Sequence, residues 1–228
     1  MAVNPADFDF ISKIVREQSA IVLEKGKEYL VESRLMPLVH QEKLESLENL
    51  VKQIKMKPRG TLKDAVIEAM TTNETSFYRD IHPFETLKNA ILPELIEKRK
   101  TQKELSIWCG ASSSGQEPYS LIMLLKNSFP QLNIWKTNFS ASDISNQMLN
   151  RCKSGIYSQL EINRGLPAPL MVKYFERIGT EWQVKEELRK MIQFRIINLS
   201  EAWPMMAPLD LIMMRNVLIY FDVEMKKN

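Results

Sequence analysis

The sequence predicts an α/β fold preceded by a helical bundle, and two periodicities in its 228 residues indicate this. Residues 1–70 carry apolar side chains at helical spacing, for example at Leu47, Leu50 and Ile54. From Leu105 onward, short apolar runs alternate with helical patterns. Alternation of this kind is typical of a parallel sheet whose strands are joined by right-handed helical crossovers.

The elements follow in order along the chain. We expect a helical domain over residues 1–76, a linker helix over 77–100 and an α/β domain over 101–228. In the α/β domain, the pattern predicts strands at 105–109, 137–143, 192–197 and 209–214, and helices at 117–128 and 145–152. Residues 156–190 interrupt the alternation, because two short strand patterns flank Gly179 and predict a β-hairpin in a small antiparallel insertion.

Composition argues against several classes of protein. A net charge of +3 is too small to indicate nucleic-acid binding, and the absence of a run of about 18 apolar residues argues against membrane insertion. The N-terminus lacks the basic and apolar pattern of an export signal, so we expect a cytoplasmic protein. Cys109 and Cys152 fall in predicted buried elements and are expected to be reduced. His40 and His82 lack metal-ligand spacing, so we expect no metal site.

The most informative stretch is a loop of small residues, Gly110–Gly115, between a predicted strand and a predicted helix. Pro118 occupies the first turn of that helix, where proline is well tolerated. Small side chains let a ligand approach the backbone, and the helix N-terminus offers free N–H groups, as in nucleotide-type cofactor sites. The alternative is a loop that only closes the turn between strand and helix.

The loop matches neither of the common phosphate-binding motifs. No lysine follows Gly115, as a P-loop would require, and Ala111 and Ser112 interrupt the G-x-G-x-x-G pattern. Glu117, close to the helix start, would repel a phosphate. These features favour a cofactor that is neutral or cationic at this point, and S-adenosylmethionine, with its sulfonium and ammonium groups, fits better than a dinucleotide.

Two further segments carry polar residues suited to a site. Thr71–Asp80 is rich in hydrogen-bonding groups and contains one fixed cation, Arg79, although Thr72 or Asn73 could instead cap a following helix. Leu209–Phe221 begins as a predicted buried strand and continues into polar residues. In open α/β sheets, ligands bind beyond the carboxyl ends of the strands.

Four motifs in this order resemble the CheR family of chemotaxis receptor methyltransferases. They are T-T-N-x-T-x-F-x-R, W-x-x-x-x-S-x-G-x-E-P-Y-S, the strand end Ala141–Asp143 and R-N-V-x-I-Y-F, and they cover most of the chain. The resemblance implies a Rossmann-like methyltransferase domain that uses S-adenosylmethionine to form methyl esters on chemoreceptor glutamates during chemotaxis adaptation. It also implies that closing strands are missing after Asn228, so we expect a chain truncated at its C-terminus, with a sheet edge that is exposed or closed by a second copy of the chain.

The resemblance assigns cofactor contacts residue by residue. Asn73, Thr75, Arg79, Asn216 and Val217 would line the methionine part of the cofactor, Glu117 its ammonium group, Asp143 its ribose and Asn198 and Leu199 its adenine, with Gly110 in the small-residue loop. From the residues alone, Glu117 could equally be a first-turn helix acid, and Asp143 could cap the helix that follows it.

The substrate glutamate would be held by two residues in the same resemblance. Arg79 would orient its carboxylate through a guanidinium fork, and Tyr220 would help seat it. The alternatives are a surface ion pair of Arg79 with Asp80 or Glu85, and a core position for Tyr220.

The expected partners are the cytoplasmic methylation helices of chemoreceptors. Basic residues of the N-terminal helices would bind them, and the candidates are Arg34, Lys52 and Lys55, followed by Lys43, Lys57 and Arg59. A solvated charged face explains the same residues. The short hairpin turn at Gly179 leads us to expect no binding of a receptor's C-terminal pentapeptide tether. Two other functions stay open, namely a cofactor- or receptor-binding module without turnover and a methyltransferase for another carboxylate.

Overall fold

The structure, a computed structural model, describes residues 3–58, 60–221 and 226. The chain divides into two compact units. The first comprises Met1–Thr72, Asn198–Ala202 and Asn216–Asn228, and the second comprises Asn73–Ile197 and Trp203–Arg215. Each unit is therefore assembled from segments that are distant in sequence.

The first unit contains the predicted helical bundle. Its helices are α1 (Pro5–Ser19), α2 (Glu28–Gln41), α3 (Leu47–Met56) and α4 (Thr61–Met70). Side-chain caps begin two of them, because Asn4 accepts a hydrogen bond from the Asp7 amide at α1 and Ser46 accepts one from the Asn49 amide at α3. The apolar stripes that predicted these helices pack into one core, in which Ile11 is fully buried.

The first unit also includes the end of the described chain. Ile21 and Phe221 form an isolated antiparallel bridge, and the Val22 amide donates to the carbonyl of Tyr220 at 3.3 Å. The side-chain amide of Asn198 donates to the carbonyl of Gln18 at 2.6 Å. The end of α1 and the loop after it thus bind residues that come about 180 to 200 positions later in the sequence.

The second unit contains a parallel sheet with the strand order β6-β2-β1-β7 among the described residues. Its strands are β1 (Glu104–Cys109), β2 (Lys136–Asp143), β6 (Ile192–Ile196) and β7 (Leu211–Met213). In the register, Ile107 lies opposite Phe139 on one side and Leu211 on the other. The predicted parallel α/β class is confirmed, although β7 is shorter than expected. Just before β7, Asp210 binds Ser106 of β1 twice, because its carboxylate accepts the Ser106 amide and its own amide donates to the Ser106 carbonyl, both at 2.8 Å.

Helices accompany this sheet. They include α5 (His82–Thr86), α6 (Leu92–Arg99), α7 (Gln116–Ser128) and α8 (Asn146–Ser154). A π-helical turn, Leu87–Ile91, joins α5 to α6, so the predicted linker helix is one helical segment with a local widening. Among the residues that the structure describes, no helix combines the length and the apolar character that crossing a membrane requires.

The predicted antiparallel insertion is present. Its strands are β3 (Ile156–Tyr157), β4 (Phe175–Ile178) and β5 (Glu181–Val184), paired in the order β3-β5-β4, with the short helices α9 (Gln159–Asn163), α10 (Ala168–Tyr174) and α11 (Glu186–Arg189) beside them. The ring of Phe77 packs edge-on against Tyr157 at 5.0 Å and Phe175 at 5.6 Å between centroids. These contacts anchor the polar segment around Phe77 to the insertion.

Candidate active site

The small-residue loop adopts a conformation that few sequences tolerate. Ala111, Ser113 and Gly115 have positive φ angles of 51°, 48° and 98°. Its backbone is tied to neighbouring strands, since the Gly110 amide donates to the Met213 carbonyl at 2.8 Å. A Cβ atom on Gly115 would lie 2.3 Å from Cys152 Sγ, so glycine is required there by packing as well as by φ.

One polar atom of the loop is left unsatisfied by the protein. Ser112 is 2% exposed, and its buried hydroxyl has no hydrogen-bond partner within the described part of the chain. A buried hydroxyl without a partner is costly, and such groups often await a ligand or a water molecule. The Ser112 hydroxyl, which can donate or accept, therefore fits a polar cofactor that lies against the loop.

Asp143 ends β2 and pins the loop. Its Oδ2 accepts the Ser113 amide at 2.7 Å and its Oδ1 accepts the Ser145 amide at 2.9 Å, with the residue 5% exposed. The alternative that Asp143 caps the next helix is wrong, because Ser145 is the N-cap of α8 and accepts the Met148 amide. The contact of Asp143 with the ribose stays a prediction.

The polar segment before the loop runs alongside it. The Ser113 hydroxyl donates to the Asn73 carbonyl at 2.9 Å, and the Tyr78 amide donates to the Ser120 hydroxyl at 3.0 Å. The alternative of a helix cap is wrong here too, since the next helix is α5 and Ile81 takes its N-cap position. Thr75 is half-buried in this segment.

Arg79 bends back onto its own segment. Its Nη1 donates to the Glu74 carbonyl at 2.7 Å, and the residue is half-buried. Asp80 pairs with Arg215 at 3.0 Å and Glu85 with His82 at 3.2 Å, and neither alternative ion pair of Arg79 is found among the described residues.

Arg215 organises the charges around this site. Its Nη1 donates to Glu117 Oε2 at 2.9 Å, and its Nη2 donates to the Arg79 carbonyl at 2.9 Å and to Asp80. The Glu117 side chain is 14% exposed and the Arg215 side chain 17%. Burial raises the pKa of Glu117, and the positive charges of Arg215 and Arg79 act in the opposite direction. The sequence pattern indicated that the segment Leu209–Phe221 contributes to a site, but it assigned no role to Arg215 itself.

Glu117 lies in the first turn of α7, as its alternative interpretation required. That position and a role toward a cationic ligand are compatible, since both use its negative charge. The buried thiols of Cys109 and Cys152 are poor nucleophiles. Burial raises the pKa of Cys109 and of Cys152, and both cysteines are free, as expected.

The structure brings six predicted cofactor residues into the second unit, namely Asn73, Thr75, Arg79, Gly110, Glu117 and Asp143. The other predicted residues, Asn198, Leu199, Asn216, Val217 and Tyr220, belong to the first unit. Asn198 uses its side-chain oxygen locally, accepting the Ser200 amide at 3.0 Å. Asn216 has a positive φ of 55° and is exposed, while Tyr220 is half-buried.

The predicted receptor-binding residues differ in their surroundings. Arg34 donates to the Met70 carbonyl at 2.6 Å and to the Thr72 hydroxyl at 2.9 Å. Lys55 lies 3.6 Å from Asp7, whereas Lys52 is exposed. The structure describes Lys43 and Lys57 as exposed, and Arg59 lies outside the described residues.

Known protein families and individual proteins match this sequence. The family description "CheR methyltransferase, all-alpha domain" matches residues 6–71, and "CheR methyltransferase, SAM binding domain" matches residues 73–228. The chain is 40% identical over 233 residues to chemotaxis protein methyltransferases of Pseudomonas putida and Pseudomonas aeruginosa, covering 100% of this chain and 84% of each relative. It is 37% identical over 224 residues to one of Borreliella burgdorferi, covering 95% of this chain and 78% of the relative. This protein is therefore a member of the CheR methyltransferase family and carries the S-adenosylmethionine-binding domain of that family.

Proposed function

We propose that this protein is a protein-glutamate O-methyltransferase that methylates glutamate side chains of chemoreceptors in the cytoplasm. The names of its relatives, chemotaxis protein methyltransferases, support the class of substrate. The observation that carries the proposal is the charge cluster in which Arg215 joins Glu117 to the backbone of Arg79. It places the Arg215 guanidinium and the largely buried Glu117 carboxylate against the polar segment Thr71–Asp80.

The chemistry demands little acid or base from the protein. A glutamate side chain ionises near pH 4.3, so the attacking carboxylate is already charged at neutral pH. Bound S-adenosylmethionine supplies an electrophilic methyl group on a sulfonium. The thiols of Cys109 and Cys152 do not compete as nucleophiles, because burial raises the pKa of each and keeps it protonated.

The residues of the second unit would then hold the cofactor and orient the substrate. Glu117 offers a carboxylate to the cofactor's ammonium group, Asp143 offers acceptors to the ribose hydroxyls, and Asn73 and Thr75 contact the methionine part. Arg79 orients the substrate carboxylate, since a guanidinium fork fixes the angle of approach. Positioning of this kind, with water excluded, is the main source of rate in the absence of a general base.

The remaining predicted residues keep their proposed roles. Asn198 and Leu199 would contact adenine, Asn216 and Val217 the methionine part, and Tyr220 the substrate glutamate. Lys52 and Lys55 would attract the acidic methylation helices of a receptor.

The test is transfer of labelled methyl groups to a chemoreceptor cytoplasmic fragment, followed by mild base. Release of labelled methanol identifies a glutamate methyl ester, and a receptor with glutamine at its methylation sites should give none. Arg79→Met should lower kcat by about a hundredfold, as expected when a reacting group loses its orientation. Lys136→Met is the matched control, because Lys136 pairs with Glu104 at the amino ends of β1 and β2.

Other outcomes would point to the other functions. Binding of S-adenosylhomocysteine without any methyl transfer would indicate a binding module. Labelled product on a different carboxylate compound, with the receptor unlabelled, would indicate another methyltransferase and would contradict the proposal.

A further inference from the structure

Arg34 donates hydrogen bonds to acceptors within its own chain. Its Nη1 donates to the carbonyls of Met70 at 2.6 Å and Thr71 at 3.2 Å, and its Nη2 donates to the Thr72 hydroxyl at 2.9 Å. Met70 is the last residue of α4. The last carbonyls of a helix lack partners within the helix, so a cation there satisfies them and interacts favourably with the helix dipole.

The guanidinium of Arg34 is half-buried, and burial lowers its pKa. Thr71 and Thr72, which accept its hydrogen bonds, open the Thr71–Asp80 segment that carries a family motif. Arg34 therefore holds the start of that segment.

These contacts leave Arg34 poorly suited to docking a partner. A receptor carboxylate would have to displace three hydrogen bonds to oxygens of this chain, and the residue is only half-exposed. Lys52 differs, since it is exposed on α3. A guanidinium can satisfy several acceptors at fixed angles, whereas a lysine ammonium acts as a point charge.

We propose that Arg34 is a positioning residue for methyl transfer, holding Thr72 against the end of α4, and not a receptor-docking residue. Thr72 is followed directly by Asn73, the first residue of the predicted cofactor segment. Small displacements of groups that line a reaction centre have large effects on rate. The inference rests on the proposed function for its kinetic part only.

The experiment compares Arg34→Lys, Thr72→Val and the double variant with wild type and with Lys52→Gln. Arg34→Lys keeps the charge and loses the fork, and Thr72→Val removes one acceptor at nearly constant volume. We expect Arg34→Lys to lower kcat by about tenfold with the receptor KM unchanged. Thr72→Val should lower kcat less, and the double variant should be no worse than Arg34→Lys. Lys52→Gln should instead raise the receptor KM.

Hydrogen–deuterium exchange supplies a readout that needs no substrate. In Arg34→Lys, peptides covering residues 71–76 should exchange faster, while the hairpin peptide 175–184 should be unchanged. If wild type forms no methyl ester, the proposed function fails, and exchange still decides whether Arg34 holds this segment. Faster exchange at 71–76 supports that role, and unchanged exchange overturns it.

Two kinetic outcomes would also overturn the proposal. A receptor KM raised about tenfold with kcat unchanged would make Arg34 a docking residue. A lowered melting temperature with kcat and KM both unchanged would make it a structural residue only.

Discussion

The carboxylate of Glu117 and the guanidinium of Arg215 form an ion pair at 2.9 Å that is mostly shielded from water. The two residues are 98 positions apart in sequence, at the start of α7 and just after β7. Arg215 also binds the Arg79 carbonyl, so the pair fixes the segment that is proposed to orient the substrate. Breaking it would affect both stability and the site.

Arg215→Gln should destabilise the protein, because it leaves the Glu117 carboxylate buried without its partner. Removing one member of a buried pair typically costs about 3 kcal/mol in the free energy of unfolding. Urea denaturation would measure it. Arg164→Gln is a matched control, because Arg164 pairs with Glu74 in the same unit at an exposed position and should change stability little.

The double variant Arg215→Gln with Glu117→Gln checks the cause. Because neither charged side chain remains, the double variant should lose clearly less free energy of unfolding than the two single variants lose together. Strict additivity would show that the pair is not the source of the loss.

The stability of the wild type relative to Glu117→Gln should depend on pH. The raised pKa of Glu117 means that the folded protein holds its proton at a pH where the unfolded chain has released it. The contribution of Glu117 is therefore fully present below its ordinary value near 4.5 and is lost as pH rises through the raised folded pKa. Denaturation of both proteins at a series of pH values would show the difference; a constant gap would contradict the prediction.

Asp143→Ala should weaken the binding of S-adenosylhomocysteine at least tenfold, since it removes the proposed ribose acceptor and leaves the Ser113 and Ser145 amides unsatisfied. Calorimetry would measure the affinity. Asp210→Ala is the matched control, because Asp210 also accepts a backbone amide, that of Ser106, but near the amino end of β1. Equal losses in the two variants would indicate a general effect on the fold.

Gly115→Ala should destabilise the protein by roughly 3 kcal/mol, because its Cβ would overlap Cys152 Sγ and its φ is positive. Gly179→Ala separates the two causes, since Gly179 also has a positive φ but nothing within 4 Å of the added atom. It should cost about 1 kcal/mol. Thermal unfolding of both would test this, and similar losses would mean that backbone strain alone decides.

Removal of a receptor's C-terminal pentapeptide should leave its methylation rate unchanged. The strands β4 and β5 are joined through Gly179 and Thr180 alone, which gives the insertion a minimal turn. Initial rates on full-length and shortened receptors would test this expectation. A slower rate on the shortened receptor, with kcat retained at saturation, would show that the tether is used.

Local patterns predicted much of the fold. Apolar runs located β1 and β2 within one residue of their observed starts, and the pattern around Gly179 located the hairpin. The last predicted strand was two residues too long at its start and one at its end, because an apolar pattern does not show where strand pairing begins and stops.

The site was predicted less completely, because its contacts depend on distant residues. The loop, Glu117 and Asp143 stood out through local chemistry. The pairing of Glu117 with Arg215 has no local signature, and charge alone could not tell whether Arg34 faces a partner or the end of α4. Which of these residues touch cofactor or receptor stays a prediction.

The composition of the first unit has a consequence for biosynthesis. Residues 198–202 and 216–221 belong to the same unit as the N-terminal helices. Within this unit, Ile21 pairs with Phe221, and Val22 binds Tyr220. Chains are made from the N-terminus at about 5–20 residues per second, so the last of the helices would emerge roughly 6 to 30 seconds before these partners. The unit whose synthesis begins first is therefore completed only after Arg215, the last residue of the second unit, has been added.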